Sequence, residues 1–296
     1  MRAVVLVGGF GTRLRPLTTS TPKPMLPVGH RPMIEVVVDQ LARGGVTDVV
    51  LALGFAPGPF REGFPDGFCA GLPLTYAVEP EPLDTAGAVR FAAEFAEIDD
   101  TFLVVNGDIL SDVDVAALVG FHRRHGAEAT LHLTSVADPS SFGVVVVDPA
   151  SGRVERFVEK PAPGTAPSNL INAGLYVFEP SVLGRIPSGR KVSVERETFP
   201  AMVADGTLFG LATDDYWLDT GQPHLYIQAN LDSAAGVRRH EHCRPIGVGA
   251  TVAADAVLDA SVVGNGATVG AGVRLERSVL LPGAVVEDAA HLVDSV

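Results

Sequence analysis

The sequence predicts an α/β protein: a doubly wound, mostly parallel sheet flanked by helices, followed by a short left-handed β-helix. Three observations carry this expectation. Apolar runs at Ala3–Val7, Asp48–Leu53, Leu74–Val78 and Thr101–Val105 alternate with helical stretches, as in a parallel sheet with crossover helices. A glycine-rich turn, Gly8-Gly9-Phe10-Gly11, follows the first run directly. From Ile246 apolar residues recur at Val252, Leu258, Val263, Val269, Leu275, Leu280, Val286 and Leu292. The steps of 6, 6, 5, 6, 6, 5, 6 and 6 make a 17-residue period of three sides.

Each element has a local reason. Pro32 to Arg43 carries Ile34, Val37, Val38 and Leu41 on one face, with proline at its start and Gly44-Gly45 at its end, which marks an amphipathic helix. Asp84 or Thr85 is placed to cap a helix running to Phe95. Ser111 and Asp114 resemble a capping box before a helix that reaches His125. Strands are expected at Ala129–Ser135, Gly143–Val147, Val154–Val158 and Ile171–Phe178, with Asp148–Gly152 as a hairpin connection. Ser193 to Ala204 reads as a helix with Phe199 and Met202 inward, and another helix begins near Pro223. In the tail each turn ends alike, as DASV at Asp259, ERSV at Glu276 and VDSV around Asp294.

Composition bounds the function. The chain has 296 residues, 47% hydrophobic and 19% charged, with a net charge of −13. Acidity and the lack of basic tracts argue against nucleic acid. No apolar run approaches a membrane span, and Ala3–Val7 is too short for a signal peptide. Cys69 and Cys243 form no metal-spacing motif and are expected as free thiols in a reducing cytoplasm. His122 and His125 read as packing or solvated residues, and Trp217 as packing.

The chemistry is concentrated near the N-terminus. The first acidic residue is Glu35, although 35 acids in 296 residues would place about four before it. The same stretch holds Arg2, Arg13, Arg15, Lys23 and Arg31. A local charge of +5 after a glycine turn points to a polyanion such as a triphosphate. The loop has no third glycine of a dinucleotide fingerprint and no Gly-Lys-Ser/Thr of a Walker loop. An ordinary surface turn would explain the glycines but not the missing acids. Lys23 and Lys160, two of only three lysines, each precede a proline, and a point charge suits phosphate. Asp108, in Asn106-Gly107-Asp108 at a strand end, reads either as a metal carboxylate or as a turn residue.

The string VGGFGTRLRPLTTSTPKPMLPVGHRPMIE, Val7 to Glu35, resembles the signature of sugar-1-phosphate nucleotidyltransferases, GGxGTRLRPLT…PKPMLP. Its texture, and the stretch SVERETFP at Ser193–Pro200, is similar to the mannose-1-phosphate guanylyltransferase branch. The resemblance implies a Rossmann-like nucleotidyltransferase domain over residues 1–235 and the β-helix tail over 245–296. It implies a reaction of a nucleoside triphosphate, GTP by the branch, with a sugar 1-phosphate such as mannose 1-phosphate, releasing pyrophosphate. Arg13 would steady the triphosphate, Lys23 the α-phosphate region and Lys160 the sugar phosphate. Asp108 and Asp219, the latter in Trp217-Leu218-Asp219-Thr220-Gly221, would share one Mg²⁺. Val7, Gly8, Gly9, Gly11, Thr12, Glu79, Asp84, Asn106 and Gly107 would line the nucleotide. Gly143, Glu159, Asn172 and Gly174 would line the sugar.

One position departs from the pattern. The branch has PLGTAG where this chain has Pro82-Leu83-Asp84-Thr85-Ala86-Gly87, so Asp84 adds bulk and negative charge. A silent regulatory homologue would be expected to lack Arg13, Lys23 or an aspartate, and all are present. The tail could also mean an acyltransferase, but three turns offer only His291, so assembly or shielding is the better expectation. A cytoplasmic homo-oligomer is expected.

Overall fold

The computed structural model describes residues 1–9, 11–54 and 57–296; Phe10, inside the glycine loop, lies outside them. The chain divides into two compact units, Met1–Gly9 with Val37–Trp217, and Phe10–Val36 with Leu218–Val296.

The first unit is built on a sheet that contains ten strands among the described residues. They are β1 (Arg2–Leu6), β2 (Asp48–Leu53), β3 (Phe68–Cys69), β4 (Leu72–Val78), β5 (Phe102–Asn106), β6 (Ala129–Ser135), β7 (Gly143–Val147), β8 (Val154–Glu159), β9 (Leu170–Phe178) and β10 (Leu208–Ala212). The order is β8-β7-β9-β5-β1-β2-β4-β3, and β6 pairs with β9 and β10. Strands β5, β1, β2 and β4 are mutually parallel. β9 runs antiparallel to β5, β6 and β7, and β7 antiparallel to β8. The sheet is therefore mixed rather than mostly parallel. Parallel pairing needs a long crossover, which the Asp148–Gly152 turn cannot supply. Gly152 N–H closes that turn onto the Asp148 carbonyl at 2.7 Å.

Helices form where the apolar spacing places them. In α1 (Met33–Arg43) the four residues singled out, Ile34, Val37, Val38 and Leu41, are all buried. α2 (Asp84–Phe95) buries Ala86, Val89, Ala92 and Ala93, but neither Asp84 nor Thr85 caps it; Leu83 stands at the cap with no side-chain bond. α3 (Val115–His125) is capped by Asp114 alone, whose carboxylate accepts from Ala117 N–H at 2.9 Å. Ser111 bonds Val113 N–H instead, so there is no capping box. The stretch from Ser193 is a π-turn (Val194–Thr198) running into α4 (Phe199–Asp205), not one continuous α-helix.

Tyr176, Phe178, Phe199 and Phe102 make the aromatic centre of the core. His122 is buried between the Thr130 hydroxyl and Glu179, each 2.9 Å away. The His125 ring stacks beside Phe121 at 4.1 Å. Both are packing residues. His132 on β6 is also buried, bonded to Thr213 at 2.9 Å. Burial lowers its pKa from 6.5 to about 4, against the opposing field of Asp215. The unfolded state thus binds the extra proton first as pH falls. Stability from this group is complete above pH 6.5 and is lost down to about pH 4. At 1.36 kcal/mol per pKa unit the loss is about 3 kcal/mol. Urea unfolding at pH 7 and pH 4.5 should show this drop, and His132→Gln should flatten it.

In the second unit, α5 (Pro223–Ala235) ends on left-handed Gly236. The Asn230 side chain accepts from Gly29 N–H at 3.1 Å, and Tyr226 donates to the Pro27 carbonyl at 2.5 Å. The tail is a three-sided β-helix. Thr251–Val252 stacks on Thr268–Val269 and that on Val285–Val286; Val257–Asp259 stacks on Arg274–Glu276 and that on His291–Val293. The third side pairs Val262–Val263 with Val279–Leu280. Partners lie 17 residues apart, as the periodicity requires, and Val263, Val269, Leu275, Leu280 and Val286 fill the interior. The serines of the repeated endings form a ladder: Ser278 N–H bonds Ser261 Oγ, and Ser295 N–H bonds Ser278 Oγ. Ile227 of α5 packs on Val262 and Val279.

Neither Cys69 nor Cys243 forms a disulfide, and both are buried. No helix among the described residues is long and apolar enough to cross a membrane.

Candidate functional site

The strand order reverses beside β1: β2 and β4 lie to one side and β5 to the other. Open α/β sheets bind ligands beyond the carboxyl ends of strands at such a point, and here those ends carry Val7-Gly8-Gly9 and Asn106-Gly107-Asp108. Val7 is buried and its N–H bonds the Ala52 carbonyl at 3.1 Å, whereas Gly8 and Gly9 are exposed. Gly107 cannot be another residue without displacement, because a Cβ there would meet Val7 Cγ1 at 2.8 Å and the Leu6 carbonyl at 3.0 Å. The two strand ends are thereby locked side by side, with Asp108 half-buried next to them.

Glu79 follows β4 and is buried, one oxygen accepting from Leu83 N–H at 2.8 Å. Its other oxygen lies 3.8 Å from where a Gly8 Cβ would stand. Burial pushes the Glu79 carboxyl above the usual range; the Leu83 N–H opposes this and Asp84 adds to it. Asp84 has φ 61°, in the left-handed region that favours glycine, and its carboxylate turns back onto Thr85 N–H at 2.8 Å. The position therefore has a glycine's backbone and an acid's side chain. Asp84→Gly should raise stability by up to about 1 kcal/mol by removing left-handed strain, read as a higher urea midpoint.

A second group gathers around the β7–β8 pair and β9. Gly143 is the register partner of Glu159. Adjacent Glu159 and Lys160 would face opposite sides of a strand, but β8 ends at Glu159 and Lys160 has φ 47°. This turn brings the Lys160 ammonium within 3.6 Å of its neighbour's carboxylate while leaving it exposed. Burial raises the Glu159 pKa, the field of Glu195 adds to it, and Lys160 opposes it. On β9 the register shifts between Asn172 and Tyr176. Gly174 sits in that irregularity at φ 78°, where a Cβ would strike the Asn106 amide at 2.8 Å. Asn172 donates to the Tyr176 hydroxyl at 2.9 Å and accepts from Gly174 N–H at 3.1 Å. Trp217 donates to the Ala173 carbonyl at 2.9 Å and meets Phe142 edge-on, a packing role.

In the second unit, Gly11 is left-handed and opens a 3-10 turn at Thr12–Leu14 that carries Arg13. The Thr18 hydroxyl bonds the Gly11 carbonyl at 2.8 Å. Lys23 opens another such turn between Pro22 and Pro24 and is buried, its ammonium 3.6 Å from Asp219. The same Asp219 oxygen accepts from Gly221 N–H at 2.7 Å. A Cβ on Gly221 would lie 2.8 Å from both Arg13 Nη2 and Asp219, so Arg13, Lys23 and Asp219 converge on one turn.

Among the described residues no group of three or more His, Cys, Asp or Glu gathers to hold a metal on protein ligands alone. Asp108 in the first unit and Asp219 in the second each offer a hard carboxylate oxygen, the donor type that magnesium prefers.

Sequence reading missed Glu195, Thr85 and Ser193, which hydrogen-bond one another beside Glu159. The signal was present in SVERETFP, but nothing local ties Ser193 or Glu195 to Thr85.

The nucleotidyl transferase family profile matches residues 2–236. A Mycobacterium tuberculosis mannose-1-phosphate guanylyltransferase is 43% identical over 269 residues, 88% of this chain and 74% of the relative. A Schizosaccharomyces pombe mannose-1-phosphate guanyltransferase is 44% identical over 244 residues, 81% of this chain and 66% of the relative. Among solved structures, HddC from Yersinia pseudotuberculosis, solved with GMP-PN, has a TM-score of 0.66 at 26% identity, covering 77% of this chain and 97% of HddC. The chain belongs to the sugar-1-phosphate nucleotidyltransferases, in the mannose-1-phosphate guanylyltransferase branch.

Proposed function

We propose that the protein transfers guanylate from GTP to mannose 1-phosphate, giving GDP-mannose and pyrophosphate. The observation that carries this reading is identity above 40% to guanylyltransferases across most of the chain, with Arg13, Lys23, Asp108, Lys160 and Asp219 all present. The sugar phosphate oxygen attacks the α-phosphorus in line and pyrophosphate leaves, so the protein's work is positioning and charge stabilisation. Gly8, Gly9, Gly11 and Thr12 offer backbone close to the triphosphate. Val7, Glu79, Asp84, Asn106 and Gly107 line the nucleotide.

Arg13 steadies the leaving pyrophosphate, Lys23 the α-phosphate and Lys160 the attacking phosphate. Gly143, Glu159, Asn172 and Gly174 receive the sugar. Asp108 and Asp219 would hold Mg²⁺, which would supply positive charge against the charge developing on the phosphates. Residues 1–235 as the catalytic domain, 245–296 as the tail, a homo-oligomeric state and a cytoplasmic location belong to the same proposal.

The test is pyrophosphate release with Mg²⁺, crossing the five common nucleoside triphosphates with a panel of sugar 1-phosphates. Release is expected with GTP and mannose 1-phosphate and should disappear in Asp108→Ala. Preference for another pair would replace the substrates and keep the reaction. Silence across the panel would sink the enzymatic reading.

A further inference from the structure

The π-turn at Val194–Thr198 is a rare geometry that occurs frequently at functional sites. It packs against β8 and α2 and carries Glu195. Oε2 of Glu195 accepts two hydroxyl bonds, from Thr85 Oγ1 at 2.8 Å and Ser193 Oγ at 2.8 Å. Each hydroxyl is itself held, since Thr85 Oγ1 accepts from Val194 N–H at 2.9 Å and Ser193 Oγ from Arg196 N–H at 3.2 Å. The carboxylate is thus clamped from two stretches 110 residues apart. Among the described residues, no hydrogen bond is made to Oε1.

The Glu159 carboxylate at the end of β8 lies in the field of Glu195, Lys160 and Arg196, and Tyr176 of β9 lies in the field of both glutamates. Glu159 and Glu195 repel one another, and Lys160 and Arg196 oppose the effect of that repulsion on Glu159. Two carboxylates held together against repulsion are a cost to the empty fold. They become favourable when a ligand donates hydroxyls to both. An anionic group on the ligand at that point would meet two like charges instead.

We propose that Glu195 is a specificity-determining residue of the sugar pocket, pairing with Glu159 to accept hydrogen bonds from ring hydroxyls of a neutral hexose 1-phosphate and to exclude uronic acid 1-phosphates. The inference rests on the sugar 1-phosphate reading above and adds to it a discrimination between sugars. Thr85 acts through Glu195 as a positioning residue.

The experiment is steady-state kinetics of Glu195→Gln, Thr85→Val and Thr85→Ser with neutral hexose and uronic acid 1-phosphates. A hydrogen bond to a charged group corresponds to about 10- to 100-fold in affinity. Glu195→Gln should raise KM for the hexose 1-phosphate by that factor with KM for the nucleotide unchanged. It should also narrow the preference for hexose over uronic acid at least tenfold. Thr85→Val should move the same constants in the same direction, and Thr85→Ser should restore them. Equal changes in both KM values, a change confined to kcat, or Thr85→Ser behaving like Thr85→Val would overturn the proposal.

Where Glu195→Gln does not fold, the Thr85 pair decides the matter. If the wild-type chain turns over no substrate pair, the enzymatic reading has failed. The inference is then read by calorimetry of hexose 1-phosphate binding without nucleotide. Weaker binding to Glu195→Gln supports it, and equal binding, or none to the wild type, ends it.

Discussion

Lys23→Met is expected to lower kcat/KM by about 10²–10³-fold, the scale seen when one fixed donor to developing charge is removed. Lys23 is 6% exposed, and its ammonium lies 3.6 Å from an Asp219 oxygen. Its backbone is held in a 3-10 turn between two prolines. Such a cation needs little reorganisation when a phosphate arrives. Methionine keeps most of the aliphatic stem and its packing, so the change isolates the charge.

Asp219 would lose one cationic neighbour but keep the Gly221 N–H, and its side chain is 21% exposed. The stability loss should therefore stay near about 1–3 kcal/mol, below the cost of orphaning a fully buried charge. Kinetics and urea unfolding on the same preparation separate the two effects. A kcat/KM within threefold of wild type would remove Lys23 from the phosphate machinery.

Phe178→Ala carries the largest expected effect on the fold. The ring is fully buried at the end of β9, stacked on Tyr176 at 5.6 Å and edge-on to Phe102 at 5.9 Å and Phe199 at 6.3 Å. Truncation removes apolar contact and leaves a cavity that three rigid rings and a paired strand cannot collapse around. The expected loss is about 3–5 kcal/mol, a large share of the roughly 5–15 kcal/mol that stabilises a typical domain. Phe178→Leu should fall between the two. If Phe178→Ala costs less than about 1.5 kcal/mol by urea unfolding, the site relaxes and the aromatic cluster is not the rigid centre described.

The two aspartates at left-handed or strand-end positions show how much of the site was legible. The apolar run ending in Asn-Gly-Asp put Asp108 at a strand end but left it as either a metal carboxylate or a turn residue, and only the resemblance chose the metal role. The glycine loop with Arg13 and Lys23 was legible as an acid-free basic stretch, whereas the role of Asp219 came from the resemblance alone. Glu195 was not, because its partner Thr85 is distant in the chain. Asp84 was visible as a departure, but its φ of 61° was not. The side on which Lys160 stands was not legible either. Alternation along a strand says nothing about where the strand stops, and the left-handed turn after Glu159 reverses the inference.

The sequence by itself determined the parallel half of the sheet, the glycine loop at its edge and the β-helix. In each, the period of the backbone is written into the spacing of apolar residues. A 17-residue repeat admits one stacking register, and the serine ladder follows it. Tertiary structure alone decided how β9 joins the antiparallel strands to β5, the π-turn in place of a regular helix, and the meeting of Thr85 with Glu195. These depend on which distant segments pair across the sheet, and that is set by packing around Tyr176, Phe178 and Phe199 rather than by any local preference.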